Sequence, residues 1–373
     1  MEGLLEKPLR PYVGRLAPSP TGALHLGNVR TFMIAWLRAR SLGGKVILRT
    51  EDLDHPKDKP GAAAQAIEDL RWLGFDWDEE YVQSERRHIY REALESLLGR
   101  ETEDARREAL ESPRNRSISQ SANLPIEQSE QSNNRTIPLI YPCVCSRRDV
   151  EAAQSAPHAG EQLHYSGTCR GRFSTWQEAV ECKMSSLGRQ SNNRTVEQSN
   201  NFLPCWRFRV DPGTVVAFDD AFAGHYEQDV SATLGDFPLA RDEFGAGYTL
   251  ACTVDDLLMG VTEVVRGDDL LAATPAQILL ARALADDRTL DLRRETPTYC
   301  HVPLVVGRDG KRLAKRHGDT RVATYRAAGR SPEEVLGFLA ASCGWAETGE
   351  RISLADLVPR FDLATIPHAP FMV

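Results

Sequence analysis

Hydrophobic and polar positions in the first hundred residues alternate between two periods. Tyr12 to Pro18 is a short apolar run that meets a Pro/Ser/Gly turn, and it predicts a strand. From Asn28 to Arg40, Val29, Phe32, Met33, Trp36 and Leu37 recur at helical spacing, and Gly43-Gly44 ends the helix. Lys45 to Arg49 is β-rich and runs into Glu51-Asp52. Strand, loop, helix, strand is a βαβ unit, so the expected class is α/β with a Rossmann-type parallel sheet. Ala62 to Leu73 and Arg86 to Leu98 predict further helices. After Asp236 the pattern predicts a strand over Tyr248–Val254, an apolar run from Leu257 to Val265 before Arg266-Gly267-Asp268, a helix over Pro275–Leu284, a strand over Val302–Val306 and a helix over Pro332–Cys343.

Two stretches, Ser112 to Pro138 and Ser185 to Asn201, lose this texture. They are rich in Ser, Asn, Gln and Arg, and each contains the hexapeptide QSNNRT, at Gln131–Thr136 and Gln190–Thr195. Such tracts bury too little apolar surface to offset the entropy of ordering, and they read as disordered surface insertions.

Composition is that of a soluble globular chain, with 41% hydrophobic and 26% charged residues over 373 positions, enough for two or three domains. No apolar run approaches the roughly 20 residues that cross a bilayer, and the start has no signal-peptide pattern, so a cytoplasmic location and no membrane contact are expected. The net charge of -8 argues against global nucleic-acid affinity. One basic cluster, Arg308, Lys311, Arg312, Lys315, Arg316 and Arg321, stands against that balance.

Three groups of residues carry candidate chemistry. Pro18 to Asn28 lies between the first strand and helix and contains Gly22, His25, Gly27 and Asn28. The glycines permit close approach of a phosphate chain, the helix start offers free N–H groups, and His25 can donate to phosphoryl oxygens. An ordinary βα turn with a capping histidine fits the same residues. Arg312-Leu313-Ala314-Lys315-Arg316 follows Gly307–Gly310 and suits a clamp on a pyrophosphate leaving group, where positive charge counts most in the transition state. A solvated basic turn is the plainer account. The third group is Cys143-x-Cys145 with Cys169 beyond a loop, three corners of a tetrahedral zinc site or a reduced thiol cluster. Cys182, Cys205, Cys252, Cys300 and Cys343 are scattered and are assigned packing roles or none.

Together, His25-Leu26-Gly27-Asn28 and Arg312-Leu313-Ala314-Lys315-Arg316 resemble the two signature loops of class I aminoacyl-tRNA synthetases, the His-x-Gly-His and Lys-Met-Ser-Lys-Ser types. Asn28, Arg312 and Ala314 depart from those patterns, and Lys315 is the residue carried over from the second loop. Arg15-Leu16-Ala17-Pro18-Ser19 and Arg49-Thr50-Glu51-Asp52 resemble the glutamyl branch in particular. The resemblance implies a glutamate site built from Arg15, Leu16, Ala17, Pro18, Ser19, Glu51, Tyr248 and Arg266. The chemistry agrees, because Glu51 suits an ammonium, Arg15 and Arg266 suit carboxylates, and Tyr248 can donate its hydroxyl. It further implies ATP with Mg²⁺ at His25, Gly27, Asn28 and Lys315, with His25 and Lys315 catalytic. Only 57 residues follow Arg316, which leads to the expectation of a short helical C-terminal segment and no anticodon-binding domain.

That brevity makes the chain resemble the short paralogue family, the glutamyl-Q tRNA(Asp) synthetases. The resemblance implies L-glutamate, ATP and queuosine-containing tRNA(Asp) as partners, a monomer, and transfer of glutamate to the queuosine base. The alternative is a truncated or discriminating glutamyl-tRNA synthetase that charges a tRNA 3′ end. The family's Cys-x-Cys…Tyr-x-x-x-Cys pattern is matched by Cys143, Cys145, Tyr165 and Cys169, which makes Tyr165 the implied fourth zinc ligand, with His158 or His164 as substitutes. The expected division is residues 1–100 and 231–310 as two halves of the catalytic domain, 101–230 as an inserted zinc-binding, acceptor-type subdomain, and 311–373 as the lysine loop and C-terminal segment.

Overall fold

A computed structural model describes residues 11–20, 22–53, 61–98, 138–153, 163–188, 203–243, 245–285, 295–311, 313 and 320–373. The first βαβ unit is β1 (Val13–Leu16), α1 (Leu26–Ser41) and β2 (Lys45–Thr50), with β1 and β2 parallel and Val13 opposite Lys45. α2 (Ala62–Trp72) leads to β3 (Glu79–Val82), which runs parallel on the far side of β2, and α3 (Arg87–Leu97) follows. β3 has no signature in the apolar pattern, because its residues Glu79-Glu80-Tyr81-Val82 are half-buried or exposed. α1 starts on a reciprocal cap: Gly27 N–H donates to His25 Nδ1 at 3.1 Å, and His25 N–H donates to Asn28 Oδ1 at 3.2 Å.

The middle of the chain builds a separate antiparallel sheet. Its strands are β4 (Ile140–Cys143), β5 (Cys205–Phe208) and, later in the chain, Phe237–Ala240, in that spatial order. α4 (Arg147–Ala153) and α5 (Trp176–Gly188) lie between β4 and β5 in sequence. α5 takes in residues 185–188, which the polar composition had placed in the second insertion. Apart from Pro138, the rest of both insertions lies outside the described residues. β6 (Val215–Asp220) and β7 (Gly224–Asp229) form a hairpin, followed by α6 (Val230–Thr233) and β8 (Phe237–Ala240).

The second half returns to parallel pairing. α7 (Tyr248–Leu258) precedes β9 (Glu263–Gly267), α8 (Thr274–Ala285) and β10 (Thr298–Val302). β10 runs parallel to β9 on one side and to β6 on the other. The β6–β7 hairpin thus joins this sheet, although its residues fall in the span read from sequence as an inserted subdomain. β1 lies beside β9, where Thr262 N–H donates to Val13 O at 2.9 Å and Val13 N–H donates to Thr262 Oγ1 at 2.9 Å. The strands therefore stand in the order β3, β2, β1, β9, β10, and the chain leaves β1 in opposite directions to its two neighbours. Open α/β sheets leave a ligand crevice at such a point, beyond the carboxyl ends of the strands.

Two expectations are corrected. Tyr248–Val254 is the start of helix α7. The β-branched and aromatic residues of that run imitate a strand, but the helix is buried on nearly every side from Leu250 to Leu257, and a helix so placed shows no amphipathic period. Val302–Val306 is not one strand. Pro303, which has no N–H to give a ladder, ends β10, and β11 (Val305–Val306) pairs instead with the chain's last strand, Phe371–Met372.

α9 (Val322–Ala327), α10 (Pro332–Ala341) and α11 (Leu354–Leu357) precede that strand, β12 (Phe371–Met372). Leu336, Leu339, Trp345 and Leu357 pack with Val29, Met33 and Leu37 of α1 in one core. A second core joins α3, α7 and α8 to the antiparallel sheet through Leu94, Leu250, Val254, Leu280 and Phe237. Val265 and Cys300 face the first core and Val264 and Tyr299 the second, so the sheet that carries the crevice lies between these two masses.

Candidate active site

A cavity of about 490 Å³ opens where the strand order turns. Arg15, Ala17, Pro18 and Ser19 line it from the end of β1, Glu51 from the end of β2, Arg266 and Gly267 from the end of β9, Tyr248 from the start of α7, and His25, Gly27 and Asn28 from the start of α1. Leu16, assigned to the glutamate site from sequence, is the exception. Its side chain points the other way from Arg15, as alternation along a strand requires, and is fully buried in the α1 core. Its only route to a ligand is through the backbone. Lys315, with Arg312, Ala314 and Arg316, lies outside the described residues.

Charges in the cavity are ordered. Arg49 is fully buried; its Nη1 donates to Asp256 Oδ1 at 2.6 Å and its Nη2 to Glu51 Oε1 at 3.0 Å. Asp255 next to Asp256 accepts from Arg86 Nε at 2.8 Å, Gln83 Nε2 at 3.1 Å and Tyr90 OH at 2.7 Å, so α7 carries a buried anionic anchor that fixes Arg49. Cys252 Sγ lies 3.2 Å from Glu51 Oε1 as a donor. Both bonds fall on one oxygen of Glu51, Oε1. Arg15 donates from Nη1 to Val265 O at 2.8 Å, and its buried Nε stands 3.7 Å from Asp256 Oδ1. Arg266 forms no ion pair among the described residues; its Nε donates to His301 Nε2 at 3.0 Å and its Nη2 to Thr274 Oγ1 at 2.7 Å. The charged residues that line the cavity are Glu51 and Asp269 on the acidic side and Arg15 and Arg266 on the basic side.

Tyr248 is 42% exposed, and burial, then Cys252 and Glu51, raise its pKa well above the ordinary phenol value, so it is a proton donor at neutral pH. His25 accepts from Gly27 N–H through Nδ1, which leaves its ring proton on Nε2. A Cβ on Gly27 would stand 3.0 Å from His25 Cε1 and 3.1 Å from Nδ1, so a side chain there would push the ring by a few tenths of an ångström. A Cβ on Gly22 would meet nothing within 4 Å, so the loop above the cavity leaves room for a phosphate chain.

The cysteine site is distinct from this cavity. The Sγ atoms of Cys143, Cys145 and Cys169 lie within 4.8 Å of one another, and Cys145 and Cys169 are 3.6 Å apart. A tetrahedral zinc with bonds of about 2.3 Å needs sulfurs about 3.8 Å apart, so the donor set fits that ion. Tyr165 OH lies 3.2 Å from Cys143 Sγ and 3.7 Å from Cys145 Sγ, at the open corner. His164 Nε2 is 3.0 Å from Ser231 O and takes no part, and His158 lies outside the described residues. The Arg207 guanidinium stacks 3.8 Å over the Tyr165 ring, placing a cation beside the thiols. Buried Asp236 ties this knuckle to β8 by accepting from Tyr141 OH and Arg170.

Sequence reading missed several of these groups. Cys252 and Cys205 were set aside as scattered, yet Cys252 reaches Glu51 and Cys205 faces Cys143 across β4 and β5. Asp256, His301 and Thr274 were not singled out. The Asp255-Asp256 pair inside an apolar run was a usable signal, since buried carboxylates require partners.

The family model described as "tRNA synthetases class I (E and Q), catalytic domain" matches residues 12–138 and 161–363. The glutamyl-Q tRNA(Asp) synthetase of Symbiobacterium thermophilum is 41% identical over 96% of this chain and 95% of its own length. That of Rhodopirellula baltica is 38% identical over 97% and 96%. The glutamate–tRNA ligase of Aquifex aeolicus is 34% identical over 95% of this chain but only 63% of its own. Among solved structures, a glutamate tRNA ligase from Elizabethkingia meningosepticum superposes with a TM-score of 0.68 at 24% identity, over 97% of this chain and 67% of that one, a likeness of fold. With a parallel sheet, a crevice at its turning point and this matched span, the chain belongs to the glutamate- and glutamine-type class I tRNA synthetases, within the glutamyl-Q tRNA(Asp) synthetase family.

Proposed function

We propose that this chain activates L-glutamate with ATP and transfers it to the queuosine base of tRNA(Asp). The observation that carries the substrate is the opposition of Glu51 to Arg15 and Arg266 across one cavity. Glutamate has one ammonium and two carboxylates, and this site offers Glu51 for the first and Arg15 and Arg266 for the second, with Asp269 a further acidic residue in the lining. Glu51, steadied by Arg49 and Cys252, takes the ammonium; Arg15 and Arg266 take carboxylate oxygens; Tyr248 donates its hydroxyl at the mouth. Ala17, Pro18 and Ser19 shape the wall between them.

ATP lies over the start of α1, with its α-phosphate at the Nε2–H of His25 and the N–H groups of Gly27 and Asn28. The α-carboxylate attacks the α-phosphorus in line, the bond to the bridging oxygen breaks, and pyrophosphate leaves. The nucleophile is already an anion, so no general base is required, and catalysis rests on positioning and charge stabilisation. His25 and Lys315 stabilise the charge that develops, and Mg²⁺ accompanies the nucleotide. A hydroxyl of the queuosine cyclopentenediol then attacks the adenylate carbonyl and displaces AMP. Cys143, Cys145, Cys169 and Tyr165 hold a structural zinc that braces the segment between the two halves of the catalytic sheet.

Glutamate-dependent ATP–pyrophosphate exchange, with and without tRNA, tests the first step. Exchange without tRNA is expected, and its absence under both conditions overturns the reading. Labelled glutamate offered to tRNA(Asp) with and without queuosine tests the second step. Label appearing on the queuosine-free tRNA would favour a synthetase that charges the 3′ end.

A further inference from the structure

The Arg266 guanidinium is held from behind by groups that do not line the cavity. His301 on β10 stands opposite Arg266 in the strand register and accepts from its Nε at 3.0 Å, while Thr274 takes Nη2 at 2.7 Å. His301 Nδ1 lies 2.6 Å from Asp220 Oδ2. Asp220 Oδ1 already accepts the backbone N–H groups of Phe222 at 3.0 Å, Ala223 at 2.8 Å and His301 at 3.0 Å. Asp220, Thr274, His301 and Arg266 are all buried, and they come from the ends of β6, α8, β10 and β9.

Arginine has only donors, so His301 must turn a lone pair on Nε2 toward it and keep its proton on Nδ1, facing the carboxylate. Burial lowers the His301 pKa; Asp220 pulls it back up and Arg266 lowers it again, with the balance below the ordinary value, so the ring is neutral. We propose that His301, fixed in one tautomer by Asp220, is a positioning residue that orients Arg266 and makes it the reader of a substrate carboxylate. His301 and Thr274 occupy Nε and one N–H of Nη2, which leaves the Nη1 edge as a forward-facing fork in one orientation. Because a neutral ring holds the arginine, the charge stays unspent until a carboxylate arrives, which favours glutamate over its neutral amide. This inference rests on the reading of Arg266 as a carboxylate ligand.

Asp220→Asn tests it. Asn keeps an oxygen for the three backbone N–H groups but places an amide N–H where Oδ2 stood. That group donates to His301 Nδ1, moves the ring proton to Nε2 and sets N–H against N–H at Arg266, the tautomer error seen when a histidine-orienting carboxylate becomes an amide. His301→Gln, in contrast, keeps an acceptor oxygen near the Nε2 position. In pyrophosphate exchange, Asp220→Asn is expected to raise the KM for glutamate by about 10- to 100-fold, the scale on which supporting groups act, with kcat and the KM for ATP within about threefold. His301→Gln is expected to keep the KM for glutamate within about fivefold of wild type.

Nitrogen NMR of histidine-labelled protein reads the tautomer without turnover: Nδ1–H at His301 in the wild type, Nε2–H in Asp220→Asn. A wild-type Nε2–H tautomer, an unchanged glutamate KM in Asp220→Asn, or a rise in the ATP KM of equal size overturns the proposal. So does a His301→Gln variant as impaired as Asp220→Asn. Absence of glutamate-dependent exchange in the wild type would instead overturn the substrate reading, and the ring tautomer would then decide this inference by itself.

Discussion

Single residues divide the work of the cavity by charge. Glu51→Gln keeps the shape and the bond to Arg49 but removes the anion that faces the substrate ammonium. A hydrogen bond to a charged group contributes about 1.5–3 kcal/mol, so the KM for glutamate should rise by about 10- to 100-fold while the KM for ATP stays put, as exchange kinetics would show. Gly27→Ala should do the opposite. The added methyl displaces the His25 ring, so activation should slow by at least about tenfold with glutamate binding little changed; equal losses in both would argue that His25 does not act on the phosphates. His25, Glu51 and Arg15 were legible because each sits in a short contiguous motif at a strand or helix end. Cys252, Asp256 and His301 were not, since their partners Glu51, Arg49 and Asp220 lie 201, 207 and 81 residues away in the chain. The Leu16 side chain is turned away from the cavity: a motif names neighbours in sequence, while a strand sends neighbours to opposite faces.

Helices were legible where one face meets the core and the other meets solvent. α1, α2, α3, α8 and α10 show their periods openly. α7 hid behind uniform burial, and β3 behind a polar exterior. Caps decide the ends. Ser331 accepts from Glu334 N–H at 3.3 Å and its own N–H donates to Glu334 Oε2 at 2.9 Å, a reciprocal cap on α10 far from the cavity. Ser331→Ala should lower the free energy of unfolding by about 1 kcal/mol, read in urea titration, with exchange kinetics unaltered. The cysteine knuckle is an element of the same rank. Among the described residues its buried core is Tyr141, Cys143, Val150, Tyr165 and Cys169, with Val144, Leu163 and Phe173 packed against it, a small cluster to which a bound metal would add stability. A strong chelator is therefore expected to release about one zinc per chain, speed hydrogen exchange in β4 and β5, and leave pyrophosphate exchange largely intact. Loss of glutamate activation in step with zinc would contradict a structural role.

At the scale of the molecule, parallel pairing and the site at its turning point were legible from one βαβ unit and two loops, while the composition of the insertions says nothing of how the middle sheet meets the rest. The buried Asp220–His301 pair also gives the whole chain a pH response. The His301 pKa is lowered in the folded state and stands near 6.5 in the unfolded one, so below that pH the unfolded chain binds the extra proton and stability falls as pH drops. For Asp220, burial works against the charged form, but the hydrogen bonds from His301 and the backbone outweigh it and hold the pKa low. Its contribution is present above about pH 4 and is lost as pH falls through the folded value. Urea midpoints measured from pH 7.5 to 4 should decline, and His301→Gln should abolish the part of the decline that begins near 6.5.

β1 has β2 on one side and β9 on the other, and its bonds to Thr262 span 249 residues. At about 5–20 residues per second, a ribosome takes roughly 12–50 s to make that much chain. For that interval the nascent protein has one bare strand edge, with Val13 N–H and C=O seeking partners and half the charges of the future cavity already in place. An edge of that kind recruits other strands. The late arrival of β9 therefore makes the first half of this protein a client for whatever guards unfinished sheets during synthesis.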